Sequence, residues 1–172
     1  MQDLKSKNII YVHSDGTLYF NEKKFKCSIG LNGISTNKKE GDKKTPAGLF
    51  PIRMAMFRSD KINNIITPID IIEILPDDGW CDEPTDKNYN RLIKLPYSNS
   101  CEKLWRHDSL YNILIVVGFN DNPAIPYKGS AIFLHCTNKY YKPTDGCIAL
   151  IESDITEILA LINHKTKISI QI

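Results

Sequence analysis

The chain has 172 residues, 42% of them hydrophobic and 24% charged, and a formal net charge of +2. That length buries a sizeable core without metals or disulfides as props, and the mixture is that of an ordinary globular chain. Lys and Arg are interleaved with Asp and Glu, which leaves no electrostatic footprint for nucleic acid, and the longest apolar run, Ile113 to Phe119, is too short to cross a bilayer.

The start, Met1 to Lys7, lacks the apolar h-region of a secretory leader. Either the protein stays in the cytoplasm or a leader has been removed, and both readings stay open. Asn8–His13 and Thr17–Phe20 flank Ser14-Asp15-Gly16, a hairpin turn because Asp-Gly accommodates positive φ. Lys24–Gly30 alternates, with Phe25, Cys27 and Ile29 on one face. The polar stretch Asn32–Thr45 reads as a solvated, Lys-rich loop. A turn, Thr45-Pro46-Ala47-Gly48, closes it before the apolar Leu49–Phe57. Ile69–Leu75 and Arg91–Leu95 are strand candidates on either side of a turn-rich segment, Pro76 to Asn90. Cys101–Arg106 reads as a short helix.

Tyr111–Phe119 is a β-branched run and so a buried central strand, and Ser130–His135 is another, apolar until its last residue. Ser153 is the expected cap of a helix whose Ile155, Ile158, Leu159 and Ile162 form the buried stripe. Asp154 and Glu157 suit the positive end of its dipole. Lys167–Ile172 alternates again, with Ile168, Ile170 and Ile172 on one side. No repeat or linker interrupts the chain, so the expectation is one β-dominated domain over residues 1–172.

There are five cysteines, Cys27, Cys81, Cys101, Cys136 and Cys147, an odd number that leaves at least one thiol unpaired. Cys147 follows Gly146 and comes twelve positions after His135, the residue that ends an apolar strand. A thiol attacks carbonyls as its thiolate and needs a base or a positive neighbour, which a His at a strand end supplies. Gly146 lets the backbone pass close to a substrate and aim amides at an oxyanion. From spacing alone, structural roles for both residues are the commoner outcome. Side chains alternate on a strand, so Cys136 should face away from His135 and into the core. A zinc site from His135, Cys136, Cys147 and Cys101 is a further alternative, although the spacing is atypical for one.

Thr144-Asp145-Gly146-Cys147-Ile148-Ala149-Leu150 resembles the nucleophile signature of the L,D-transpeptidase (YkuD-like) catalytic domains. Three more stretches are similar to the branch of that family with a compact His-to-Cys loop. They are Glu40 to Phe50, then Gly79-Trp80-Cys81-Asp82-Glu83-Pro84 running on to Tyr89-Asn90-Arg91, and Leu104 to Tyr111. The resemblance implies a mainly β fold, a β-sandwich with one or two short helices and the reactive Cys in a loop beside the sheet. It implies Cys147 as nucleophile, His135 as general base, the Gly146 and Cys147 amides as oxyanion donors, and Thr144 shaping the loop. A backbone carbonyl commonly orients the His, so Asp145 reads equally well as a turn residue. Many members carry His and Arg where this chain has Asp145 and Ala149, and their His-to-Cys interval is longer. Pocket details therefore do not carry over.

Arg91 and Arg106 suit substrate carboxylates, or equally brace loops through internal ion pairs. Tyr89, Asn90 and Trp105 suit the lining of a groove, or equally packing. The implied partners are peptidoglycan stem peptides: a tetrapeptide donor that loses its terminal D-alanine and an amine acceptor. No metal or cofactor is required. The same acyl-enzyme resolved by water makes an L,D-carboxypeptidase or amide hydrolase, and an idle fold makes a cell-wall-peptide binding module. Such a substrate implies the periplasm or cell envelope, with the cytoplasm as the alternative.

Overall fold

The computed structural model describes residues 8–172; the Met1–Lys7 segment read above for a leader lies outside them. Strands β1 (Ile9–His13) and β2 (Thr17–Phe20) form the expected hairpin. Gly16 takes a φ of +78° in the turn, and the Asp15 carboxylate accepts from the Thr17 amide at 3.0 Å. Strand β3 (Lys23–Lys26) continues the meander, with Phe25 and Cys27 buried. The polar stretch that follows contains two short strands, β4 (Ile34–Ser35) and β5 (Thr45–Pro46), before the long β6 (Gly48–Phe57) and the edge strand β7 (Ile71–Glu73).

Two expectations fail in the next segment. Pro76–Asn90 contains strand β8 (Asp78–Cys81), and Cys101–Lys103 is a strand, β10, instead of the start of a helix. With β9 (Leu92–Lys94) they make a separate three-stranded sheet, ordered β10-β8-β9. Asp78-Gly79 has the composition of a turn, but tertiary contacts override it. The Asp78 carboxylate is buried, accepts from the Leu75 amide at 2.8 Å and pairs with Lys94 at 2.8 Å. Gly79 lies so close under Ile93 that a Cβ would meet its Cδ1 at 2.8 Å.

The chain then adds β11 (Ile113–Val117), β12 (Phe133–Thr137), β13 (Ile148–Ile151), helix α1 (Glu152–Leu161) and β14 (Lys167–Gln171). Ser153 does not cap α1. The cap position is Ile151, still extended at the end of β13, so the chain passes directly from strand to helix without a side-chain cap. The buried stripe is as expected, with Ile155, Ile158, Leu159 and Ile162 all in the core.

The large sheet runs β13-β12-β11-β6-β14-β1-β2-β3, with β7 on β6. Bridges from Ser28 to Ala149 and from Gly30 to Thr144 bring the chain beyond β3 back against β13 and its approach. The mainly β expectation holds, and one barrel-like curled sheet supplies both facing layers. Alternation then divides the side chains of β11, β12 and β13 between two environments. Leu134, Cys136, Ile148 and Leu150 face the enclosed core with α1. Phe133, Leu114 and Cys147 face outward under the small sheet, where Trp80 meets Phe133 edge-on with centroids 5.2 Å apart. Among the described residues, no helix is long and apolar enough to cross a membrane.

Candidate active site

β12 and β13 run parallel, with Leu134 opposite Ile148 and His135 opposite Ala149. Cys147 immediately precedes β13 and so shares the outer face with Phe133 and His135. Both line one cleft of about 670 Å³, although His135 is only 6% exposed and Cys147 only 8%. The loop before Cys147 requires glycine. Gly146 has a φ of +140°, and a Cβ there would lie 2.9 Å from the Lys44 carbonyl oxygen.

The Cys147 thiol donates to the Ala131 carbonyl at 3.1 Å and accepts from the Phe133 amide at 3.4 Å. It is directed at Ala131 instead of at His135. Burial pushes it up to about 12, with the Phe133 amide and the Lys38 charge pulling the other way. The His135 ring is oriented by a backbone carbonyl, its Nδ1 lying 2.8 Å from the Cys136 oxygen. Burial holds the imidazole below its ordinary 6.5 despite that contact. The resting pair is therefore a neutral thiol and a neutral imidazole.

Residues 1–170 match the model of the L,D-transpeptidase catalytic domain, YkuD. The chain belongs to that family. No curated protein matches the sequence. Among solved structures, the helical cell shape determining protein Pgp2 (K307A mutant) from Campylobacter jejuni is 14% identical, with 95% of this chain and 46% of that one covered and a TM-score of 0.47. An L,D-transpeptidase from Mycobacterium smegmatis is 13% identical over 96% of this chain and 59% of that one, with a TM-score of 0.47. Bd1075 of Bdellovibrio bacteriovorus is 16% identical over 96% and 48%, with a TM-score of 0.48. The chain spans about half the length of these structures.

In this L,D-transpeptidase domain the other expected residues divide into three groups. The nucleophile loop is locked by Thr144, whose hydroxyl donates to the Cys147 carbonyl at 2.6 Å and accepts from the Gly146 amide at 3.1 Å. That contact corrects one expectation, because the Gly146 amide is turned into its own loop and is not offered to an oxyanion. Asp145 is a surface turn residue, its side chain 85% exposed and 3.5 Å from Lys43.

Tyr89 and Asn90 stand behind the cleft as braces. The Tyr89 hydroxyl donates to Glu40, which also accepts from Ser130, and itself accepts from the Gly129 amide at 3.0 Å. The Asn90 oxygen accepts from the Trp80 indole at 2.9 Å and the Ala131 amide at 3.0 Å, while its nitrogen donates to the Phe119 and Asn120 carbonyls. Ala131, whose carbonyl takes the thiol, is thereby held at a φ of +51°, where a residue with a Cβ is strained.

Arg106 lines the cleft but is already engaged, by Asp108 through two bonds of 2.9 and 2.7 Å and by Glu102 at 3.2 Å. Arg91 and Trp105 do not line it. Arg91 is exposed along a second depression with Arg53 and Asp121, and Trp105 stacks under the Arg58 guanidinium at 3.5 Å. The zinc alternative has no geometry behind it, since Cys136 lies in the enclosed core with its thiol 3.6 Å from the Ile113 carbonyl. Among the described residues no cluster of His, Cys, Asp and Glu is placed to hold a metal.

Among the cleft residues that the sequence did not single out are Tyr111, Glu102 and Lys38. Tyr111 packs edge-on against His135, centroids 5.3 Å apart, and its hydroxyl partners Glu102. An uninterrupted strand over Tyr111–Phe119 would put Tyr111 on the Ile113 face, in the core. A turn closed by the Asn112 amide on the Ser109 carbonyl delays the strand to Ile113 and sends the phenol outward. Burial raises the Glu102 carboxyl, against the pull of Arg106. Lys38 lies in a polar loop that carries no periodic signal.

Proposed function

We propose that this chain carries out Cys147-dependent acyl transfer on peptidoglycan stem peptides. The carrying observation is that Cys147 and His135 share the outer face of two paired strands and one cleft, in a member of the L,D-transpeptidase family. A stem tetrapeptide enters with the amide that follows its diamino acid. The thiol leaves the Ala131 carbonyl, and its proton passes to the neutral His135 imidazole as Sγ bonds to the carbonyl carbon. The Cys147 amide supports the resulting oxyanion. Collapse breaks the C–N bond, and the terminal D-alanine departs with the proton held by His135.

The Cys147 thioester is then attacked by the amine of a second stem. The neutral His135 takes a proton from the attacking amine as the C–N bond forms, the C–S bond breaks, and that proton returns to the departing Cys147 thiolate. Water in place of that amine gives a tripeptide, the L,D-carboxypeptidase outcome, and a free D-amino acid gives exchange. Thiol and imidazole suffice, so the route needs no cofactor. Such a substrate puts the activity in the cell envelope.

The test is mass spectrometry of the products from a disaccharide-tetrapeptide, wild type against Cys147→Ala. Cross-linked dimer from the wild type alone is expected. Tripeptide and D-alanine without dimer moves the reading to L,D-carboxypeptidase. No product from a folded protein overturns the stem-peptide reading and leaves a binding module.

A further inference from the structure

The solvated-loop reading fails at Lys38, which is 6% exposed. Its ammonium donates to Asp42 Oδ1 at 2.6 Å and to the Lys39 carbonyl at 2.8 Å. Asp42 in turn accepts from the Lys39 and Lys44 amides at 2.8 and 2.9 Å. Burial pushes the Asp42 carboxyl up, but Lys38 and these amides outweigh it and hold it below the ordinary range. The pair is an ion pair.

The methylene stem of Lys38 runs along the wall of the catalytic cleft, past two glycines. A Cβ at Gly129 would lie 3.0 Å from its Cγ and 3.2 Å from its Cε, and a Cβ at Gly146 would lie 3.7 Å from its Cε. Gly146 precedes Cys147, so the cation is built in beside the nucleophile loop. Withdrawing an ion pair from water carries a desolvation cost that a Lys on a solvated loop avoids. An ammonium also has three donor hydrogens, and Asp42 and Lys39 account for two.

Glu40, Asp82, Glu102, Asp108 and Asp145 also line the cleft, and of these Glu102 and Asp145 act most directly against a thiolate. Tyr111 and His135 complete the surroundings and rest uncharged, since burial raises the phenol and lowers the imidazole. Lys43, Arg106 and Lys142 line the cleft as well, the first paired with Asp145 and the second with Asp108 and Glu102. Lys38, by contrast, runs against Gly146 beside the nucleophile, and its charge favours the thiolate.

We propose that Lys38 is a positioning residue of the acyl-transfer site, its buried ammonium setting the charge environment in which Cys147 becomes a thiolate and its adduct an oxyanion. The proposal rests on Cys147 being the nucleophile. Asp42 fixes the ammonium in place and partly offsets its field.

The experiment is alkylation of the intact protein by iodoacetamide between pH 7 and pH 10, with the Cys147 peptide quantified by mass spectrometry. Lys38→Met and Lys38→Met/Asp42→Asn are expected to alkylate about tenfold more slowly than wild type, corresponding to a thiol raised by about one pH unit. Asp42→Asn alone is expected to alkylate faster, because the cation is then unopposed. The double variant leaves no carboxylate without its cation, which removes the charge imbalance that Lys38→Met alone creates. A merely structural role would loosen the loop and speed all three. A double variant that alkylates at or above the wild-type rate overturns the proposal. Full turnover by Cys147→Ala overturns the nucleophile reading instead, whatever the alkylation rates.

Discussion

Cys136 and Cys147 lie on opposite faces of the same pair of strands, and burial pushes both thiols up to about 12. Their resting acidity does not tell them apart; their surroundings do. Cys136 is buried in the core cluster with Leu134, Leu150 and the helix, its thiol 3.6 Å from the Ile113 carbonyl. Cys147 has a backbone donor and a backbone acceptor on its sulfur and lines a cleft with His135, Tyr111, Glu102 and Lys38. The difference shows that a buried thiol becomes a candidate nucleophile through access and polar neighbours, not through burial itself.

Exchanging the two roles is the hardest test of that contrast. Cys147→Ala is expected to lose at least about 10³ in turnover with its melting temperature nearly unchanged, because it removes the attacking atom. Cys136→Ala is expected to keep turnover and lose about 1 kcal/mol in urea unfolding, since it only opens a small gap in the core. Equal loss of activity in both variants would erase the distinction between the faces.

On the enclosed face, Leu134→Ala should cost about 2–5 kcal/mol, read from urea unfolding, because Leu134 is fully buried against the core cluster. Its neighbours on the outer face should keep their chemistry, with kcat of the folded fraction unchanged. Asn90→Ala probes the bracing behind the cleft. It strands the Trp80 indole and the Ala131 amide and should cost about 1–3 kcal/mol. Cys147 alkylation should change with it, since Ala131 would no longer be held where its carbonyl meets the thiol. An unaltered alkylation rate would separate the brace from the nucleophile.

Most of the frame was legible because alternation and turn chemistry act locally. The Ser14-Asp15-Gly16 hairpin follows from its turn residues, and the Phe25–Cys27 face, the Ile155–Ile162 stripe and the outward His135 beside an inward Cys136 follow from periods of two or 3.6. The failures lie where long-range pairing overrode local composition. Asp78-Gly79 became a strand because Lys94 and Ile93 lie across from it, and Cys101–Lys103 followed because β8 offered an edge. Within the site, the His135–Cys147 pair could be read from spacing and family likeness, and the third dimension changed the rest. Arg91 and Trp105 point elsewhere, Gly146 spends its amide on Thr144, and Lys38 enters the wall although its sequence neighbours are those of a solvated loop.

The smallest expected effect concerns the protonation of the outer face. His135 works as a base only when neutral, and its burial holds the imidazole below 6.5. The acid limb of kcat/KM, measured at constant ionic strength, should therefore have its midpoint below pH 6.5. The same shift sets the sign for stability. Below 6.5 the unfolded chain binds a proton that buried His135 resists, so the folded state loses ground as pH falls through that range and regains it above. Asp42 and Asp108, both held below 3.8, act further down: they add stability above that value and lose it as pH falls through their folded-state values. A limb at or above 6.5 would mean that burial does not hold the imidazole below its ordinary value, and His135 could not be the neutral buried base described.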